Sequence, residues 1–363
     1  VAAFDVSSFL RAGGILALAP DRLWIAWGGW ERARAPIDET ASWYAPDFFL
    51  AAPDPWLIPE NQMEMSWAEL AGHLRQTGAG ARARTAAANG GHWSEPDFAQ
   101  WARVFGSLAA RMQTGSLRKA VPVLFEHAAA TVSESLLGSM LCKLSGIRQP
   151  VFAYGWWSLG EGMLGATPEA LFSLGDPGTL SAMALAGTRP RPSGPGSPRA
   201  SWTDAKEEHE HALVVEDIRA VLAAFGEVSI SPRRMLALAM MDHWLTELRV
   251  ALRGPADFDR VVRALHPTAA LGVAPRSEGW QWLGDLETNR ARGRFGAPFG
   301  VRWPDGRAHC LVAIRNIQWN RQEVLLGSGC GIVDGSRVER EWDELRLKRL
   351  SVKAMLGIEG GIG

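Results

Sequence analysis

Two pairs of glutamates have the most telling spacing in the chain. Glu207 and Glu210 stand three apart, as do Glu341 and Glu344, with Lys348 four further on. On a helix each pair shares one face. Taken singly, carboxylates in the first turns of a helix complement its macrodipole. Like charges at this spacing repel unless something positive lies between them, and the two pairs together could share one hard cation. Magnesium takes one or two carboxylates, completes its shell with water and leaves room for an anionic ligand. The string His209-Glu-His211 puts its histidines two apart, on different sides of a helix, which is not the zinc spacing of H-E-x-x-H. Gly327-Ser-Gly-Cys-Gly331 alternates glycines before Ile332 and Val333, as a strand end or a turn whose backbone N–H groups can approach an anion. The chain has no P-loop and no nucleophile elbow.

The elements that must position these residues come in clusters of helices and clusters of strands, without βαβ alternation. That predicts an α+β class. Apolar spacing predicts helices over 95–114, 131–145, 204–224, 257–265 and 337–356, with Asp204 and Glu207 as a capping-box pair at the third. Strands are expected within 14–30, around the turn Pro20-Asp21-Arg22, and near 120–125, 151–157, 162–174, 295–303, 309–317 and 323–329. Residues 31–63, rich in Pro and Asp, read as irregular, and the breaker Arg189–Pro198 reads as a surface loop.

The 363 residues carry 38 basic and 39 acidic side chains, so bulk charge recruits neither nucleic acid nor an anionic membrane. Three cysteines without a C-x-x-C argue against a disulfide framework or a cysteine zinc site. No run approaches the roughly 18 apolar residues of a membrane span. The first 20 residues lack a basic leader and a cleavage site, so a cytoplasmic protein is expected. The 17 Trp far outnumber the 2 Tyr, and most of them are expected to build the core and surface of the N-terminal half.

In chain order, Gly165-Ala-Thr-Pro-Glu169, Leu185-Ala-Gly-Thr-Arg189, Asp204-x-Lys-Glu-x-x-Glu-His211, Leu265-His-Pro-Thr268 through Pro275-Arg276, Ala313-Ile-Arg315, Gly329-x-Gly-Ile-Val333 and Glu341-x-x-Glu344-x-x-x-Lys348 resemble the chorismate-utilising enzymes. The motifs span 110–356; residues 1–105 carry no such signature, and the family's N-terminal part is usually variable. The resemblance implies one large α+β domain over 1–363, two antiparallel sheets flanked by helices, with chorismate and Mg²⁺ in a cleft between them. It makes Glu210 and Glu344 direct metal ligands, with Glu207 and Glu341 holding the metal's waters. Lys348 faces the ring carboxylate of chorismate, Arg315 and the backbone near Gly329 face the enolpyruvyl carboxylate, and Gly187, Thr188 and His243 line the same pocket.

Within the family the chain is most similar to isochorismate synthases, of the menaquinone type by the string Pro267-Thr-Ala-Ala-Leu271. The reaction adds water at C2 of chorismate as the C4 hydroxyl leaves. Lys119 stands where synthases using water keep a lysine base, whereas anthranilate synthases have Gln. An exposed lysine, with a pKa of about 10.4, stays protonated, so the role calls for burial that lowers it toward roughly 7–8. Glu169 is the implied general acid, which calls for a raised pKa. Ala186 replaces the covalent lysine of aminodeoxychorismate synthases, and Ala270 and Leu271 form a small apolar wall. The family's Tyr-Ala-Gly-Pro-Val-Gly reads Phe295-Gly-Ala-Pro-Phe-Gly300 here, and Ala291 replaces an acid. Salicylate synthase, an ammonia-using anthranilate synthase large subunit and a non-catalytic chorismate binder are the rival readings. A monomer without a glutaminase subunit is expected.

Overall fold

The computed structural model describes residues 3–76, 91–148, 150–158, 160–175, 178–191, 204–289, 291–359 and 361. Residues 192–198 of the expected surface loop lie outside them. The N-terminal part holds α1 (Val6–Arg11), β1 (Gly13–Ala19), β2 (Arg22–Ala33), β3 (Ser42–Tyr44), β4 (Trp56–Met65) and α2 (Trp67–Gln76). Next come α3 (Phe98–Gln113), β5 (Lys119–Ala120), β6 (Val123–Ala128), α4 (Glu134–Ser145), β7 (Phe152–Ser158), β8 (Glu161–Thr167), β9 (Ala170–Leu174) and β10 (Thr179–Pro190). Then follow α5 (Ala205–Leu222), β11 (Gly226–Ile230), β12 (Arg234–Ala237), β13 (Met241–Leu252) and α6 (Phe258–Leu265). The chain closes with β14 (Val273–Ala274), β15 (Pro298–Arg302), β16 (Ala308–Val312), β17 (Asn316–Trp319), β18 (Val324–Gly329), β19 (Ile332–Val333) and α7 (Val338–Leu356).

The class is α+β with large antiparallel sheets, as expected. Strand pairing runs β11-β13-β10-β9-β16-β15-β3-β4-β2-β1-β7-β8-β17-β18-β6 as one continuous path. Each half of this path has its own core. One core packs α4 and α7 against β1, β2, β7 and β8, and the other packs α5 and α6 against β9, β10 and β13. The link between the halves is β3–β4, formed by residues expected to be irregular. Trp43, Trp56 and Leu57 are buried there, and Trp43 packs edge-to-face on Trp30, so apolar burial overrides the Pro and Asp content. Trp24, Trp30 and Trp93 are half-buried, while other tryptophans are core: Trp43, Trp56, Trp101, Trp156 and Trp157 are among the largest fully buried side chains. Truncating one of them costs about 3–5 kcal/mol.

The predicted strand 120–125 is two strands in two sheets. Pro122 breaks the ladder, leaving β5 in a small sheet with β14 and β19, while β6 pairs with β18. Lys119 therefore sits opposite Ala274 on one side and Val333 on the other.

Candidate active site

The helix α5 begins at Asp204, whose carboxylate caps Lys206 N at 3.1 Å and Glu207 N at 3.4 Å. Its buried stripe is Val214, Ile218 and Leu222. Continued back toward the N-terminus, this face carries Glu210 and Glu207 into the protein. The capping box is only half made. Glu207 turns away from the cap and accepts a 2.6 Å hydrogen bond from Thr188 N on β10. His211 next door is structural: it bonds Ala186 O at 3.2 Å and Thr246 Oγ1 at 2.8 Å. On α7 the buried stripe Glu341, Leu345, Arg349, Val352, Leu356 brings the second carboxylate pair to the same place.

Lys119 is wholly buried, and its Nζ lies 3.0 Å from Glu210 Oε1. Burial works against the Glu210 charge, but Lys119 and Lys206 outweigh it and hold this carboxyl well below its ordinary range. Gly331 closes over the pair, for a Cβ there would run into Glu210 Oε1 and Lys119 Cε.

Lys206, not singled out from the sequence, is the hub of the carboxylate cluster. Its Nζ lies 3.2 Å from Glu207 Oε1, 3.2 Å from Glu210 Oε2 and 3.0 Å from Glu341 Oε1. Glu344 instead pairs with Lys348 at 2.7 Å, and Arg340 reaches Glu207 at 3.1 Å. The signal for Lys206 was its place inside the same motif as Glu207 and Glu210. Among the described residues no three His, Cys, Asp or Glu side chains form a ready metal shell. Three of the four glutamates, Glu207, Glu210 and Glu341, converge on the Lys206 ammonium. Neither Glu341 oxygen accepts a well-aligned hydrogen bond, and burial together with Glu344 raises its pKa. Glu207 is likewise pushed up, to about 7, by burial and by Glu210. The unmatched oxygens of Glu341, beside three further carboxylates, fit a hard cation.

Beside the cluster a cleft is lined by Glu169, Gly187, Thr188, Glu210, His243, Ala270, Leu271, Arg315, Gly329 and Lys348, and also by Phe295 and Gly331. Every expected substrate-binding residue is in this wall. Lys119 lies just behind it, against Glu210 and Gly331. Glu169 is buried between β8 and β9, and burial lifts its pKa to about 8 against the pull of Lys119 and Lys348. The implied acid therefore carries its proton near neutral pH.

Arg315 has φ 57°, in the left-handed region, as the chain enters β17. Its guanidinium donates to Ser351 Oγ at 2.8 Å and to His243 Nε2 at 3.2 Å, and burial lowers its pKa to about 10. Burial also keeps His243 neutral, so that it can accept. Lys348 Nζ donates to Gly329 O at 2.7 Å. Two cations at one end of a cleft, with no carboxylate bonded to Arg315 among the described residues, suit an anionic ligand.

A family model described as chorismate binding enzyme matches residues 56–357. The chain belongs to the chorismate-binding enzyme family. It is 35% identical over 205 residues to the salicylate biosynthesis isochorismate synthase of Pseudomonas aeruginosa, covering 55% of this chain and 43% of that protein. It is 32% identical over 241 residues to the vibriobactin-specific isochorismate synthase of Vibrio cholerae, covering 63% and 60%. The match thus spans about half the length of these relatives. Anthranilate synthase components are also relatives in this family. Among solved structures, MenF, the menaquinone-specific isochorismate synthase from Escherichia coli, is similar in fold with a TM-score of 0.77, at 20% identity over 98% of this chain and 92% of that one. No helix among the described residues is long and apolar enough to cross a membrane.

Proposed function

We propose that this protein is an isochorismate synthase working with Mg²⁺ and without a glutaminase subunit. One observation carries the reading: a buried lysine and a buried carboxyl with a pKa near 8 act on each other across one chorismate-family cleft. Adding water at C2 while the C4 hydroxyl leaves requires one proton to be taken and one to be given. Lys119 takes the proton from water, for which it must first pass its own proton to solvent and give up its pairing with Glu210. Glu169 gives its proton to the leaving hydroxyl. Arg315 and Lys348 hold the two substrate carboxylates, and Ala270 and Leu271 add no group that would draw the reaction on to pyruvate loss. Bound Mg²⁺, held by Glu210 and Glu344 with Glu207 and Glu341 around it, would supply electrostatic grip on the ring carboxylate.

Purified protein incubated with chorismate and Mg²⁺ is expected to yield isochorismate. Anthranilate formed from added ammonia, with no isochorismate, would overturn the reading, and pyruvate released without an added lyase would make it a salicylate synthase. The string Pro267-Thr-Ala-Ala-Leu271 supports supply to menaquinone. Restored menaquinone in a strain lacking its own isochorismate synthase tests that step.

A further inference from the structure

Behind the substrate cleft lies a second, small cavity. Pro168 and Arg315 line both spaces and so form the partition between them. The far walls come from Ser351 and Met355 on α7 and from Ala239 and Met240 in the turn between β12 and β13. Ala239 is exposed, and Met240, Ser351 and Met355 are half-buried, so the chamber meets solvent on this side. A separate groove lined by Lys206 and Glu344 meets the cleft at Thr188, on the side of the carboxylates.

Glu169 follows Pro168 directly and lines the cleft, so its proton is delivered beside the partition. The chamber is largely apolar, with Ser351 Oγ and the Arg315 guanidinium as its polar stations, 2.8 Å apart. With only these two polar partners, a water in such a space is not held tightly. We infer that this rear chamber is the route by which water exchanges between solvent and the acid side of the active site. The inference rests on the reading of Glu169 as the acid of isochorismate synthesis. A C–O bond forms at C2 from one water, whose proton goes to the neutral amine of Lys119, while the C4–O bond breaks and the hydroxyl leaves with the Glu169 proton as a second water. Lys119 then gives its proton up to solvent and Glu169 takes one back, which closes the balance. With substrate seated at the carboxylate end, that second water needs another way out.

The test is a graded series at two positions on different elements, Met355→Ala, Phe and Trp, and Ala239→Leu and Trp. Larger side chains narrow the chamber without touching the catalytic cleft. The expected result is a kcat that falls with side-chain size, by at least about threefold at Trp, while KM and the dissociation constant for chorismate stay unchanged. Met355→Ala should keep wild-type kcat. A kcat indifferent to size at both positions, or equally lowered by Met355→Ala and Met355→Trp, overturns the inference. Should one position fail to fold by circular dichroism, the other decides. Wild-type protein that makes no isochorismate overturns the functional reading, and with it this one; wild-type turnover with unaffected variants overturns only the rear route.

Discussion

Lys119 and Glu210 form a buried ion pair, Nζ to Oε1 3.0 Å, with Gly331 packed so closely over it that a Cβ there would meet both side chains. The lysine comes from a two-residue strand and the glutamate from the buried face of α5, so nothing local holds them together. Gly331→Ala should drive them apart. Activity is expected to fall about 100-fold, because a displacement of about 1 Å in a reacting group costs that much. Stability should drop by about 1–3 kcal/mol from overpacking. Steady-state kinetics and urea unfolding check both, and an alanine variant with wild-type turnover would show that the pair has no part in catalysis.

Glu169 gives a pH prediction with a definite sign. Its carboxyl is raised from 4.5 to about 8, chiefly by burial. An acid must be protonated to work, so kcat should decline as pH rises through about 8, and Glu169→Gln should be inactive at every pH. Stability follows the same group. Folded and unfolded states are alike below the unfolded pKa, and stability is lost as pH rises toward the folded one. Glu169→Gln should therefore gain stability over wild type between about pH 5 and 8, by an amount on the order of a few kcal/mol. Melting curves at pH 5 and pH 8.5 read the difference directly. A constant gap between the two proteins would mean that Glu169 is ionised throughout.

Arg315 is expected to act on substrate affinity. Its guanidinium is held by Ser351 and His243, neither of which neutralises its charge. Arg315→Gln keeps some hydrogen bonding but removes the charge that faces the substrate. A charge-assisted bond contributes about 1.5–3 kcal/mol, so KM for chorismate should rise at least tenfold. If kcat falls while KM holds, the arginine acts on the transition state and not on carboxylate binding.

How much of this was legible in the sequence depended on how local each cause was. α5 and α7 were readable to within two residues, because their buried stripes repeat at helical spacing. The glutamates on those stripes could be singled out for the same reason, and the family motifs named the cleft. The long pair β10 and β13 was not read, since Thr179–Pro190 mixes small and polar residues with no clean alternation. The strand bearing Lys119 was misjudged because Pro122 splits it between two sheets. Lys206 reads as a solvated lysine in a first helical turn, and only the packing of α7 against α5 closes it in. The rear chamber likewise depends on α7 meeting the turn after β12, far away in sequence.

Lys206 yields the sharpest test of the metal reading. Its ammonium stands between Glu207, Glu210 and Glu341, all of them buried. Replacing it with Met leaves several buried carboxylates facing one another. Without added cation, Lys206→Met should be less stable than wild type by about 3–5 kcal/mol, the usual cost of removing one partner from a buried ion pair. A divalent cation that the glutamates can hold should then restore the variant more than it helps wild type, where it must displace the ammonium. Binding to the folded state alone adds about 2.7 kcal/mol at a hundred times the dissociation constant. The measurement is the melting temperature of both proteins across a Mg²⁺ titration, with Glu341→Gln added to each as a control. A larger Mg²⁺ shift in Lys206→Met, reduced by Glu341→Gln, is the expected pattern. Equal shifts in all four proteins would place the cation elsewhere.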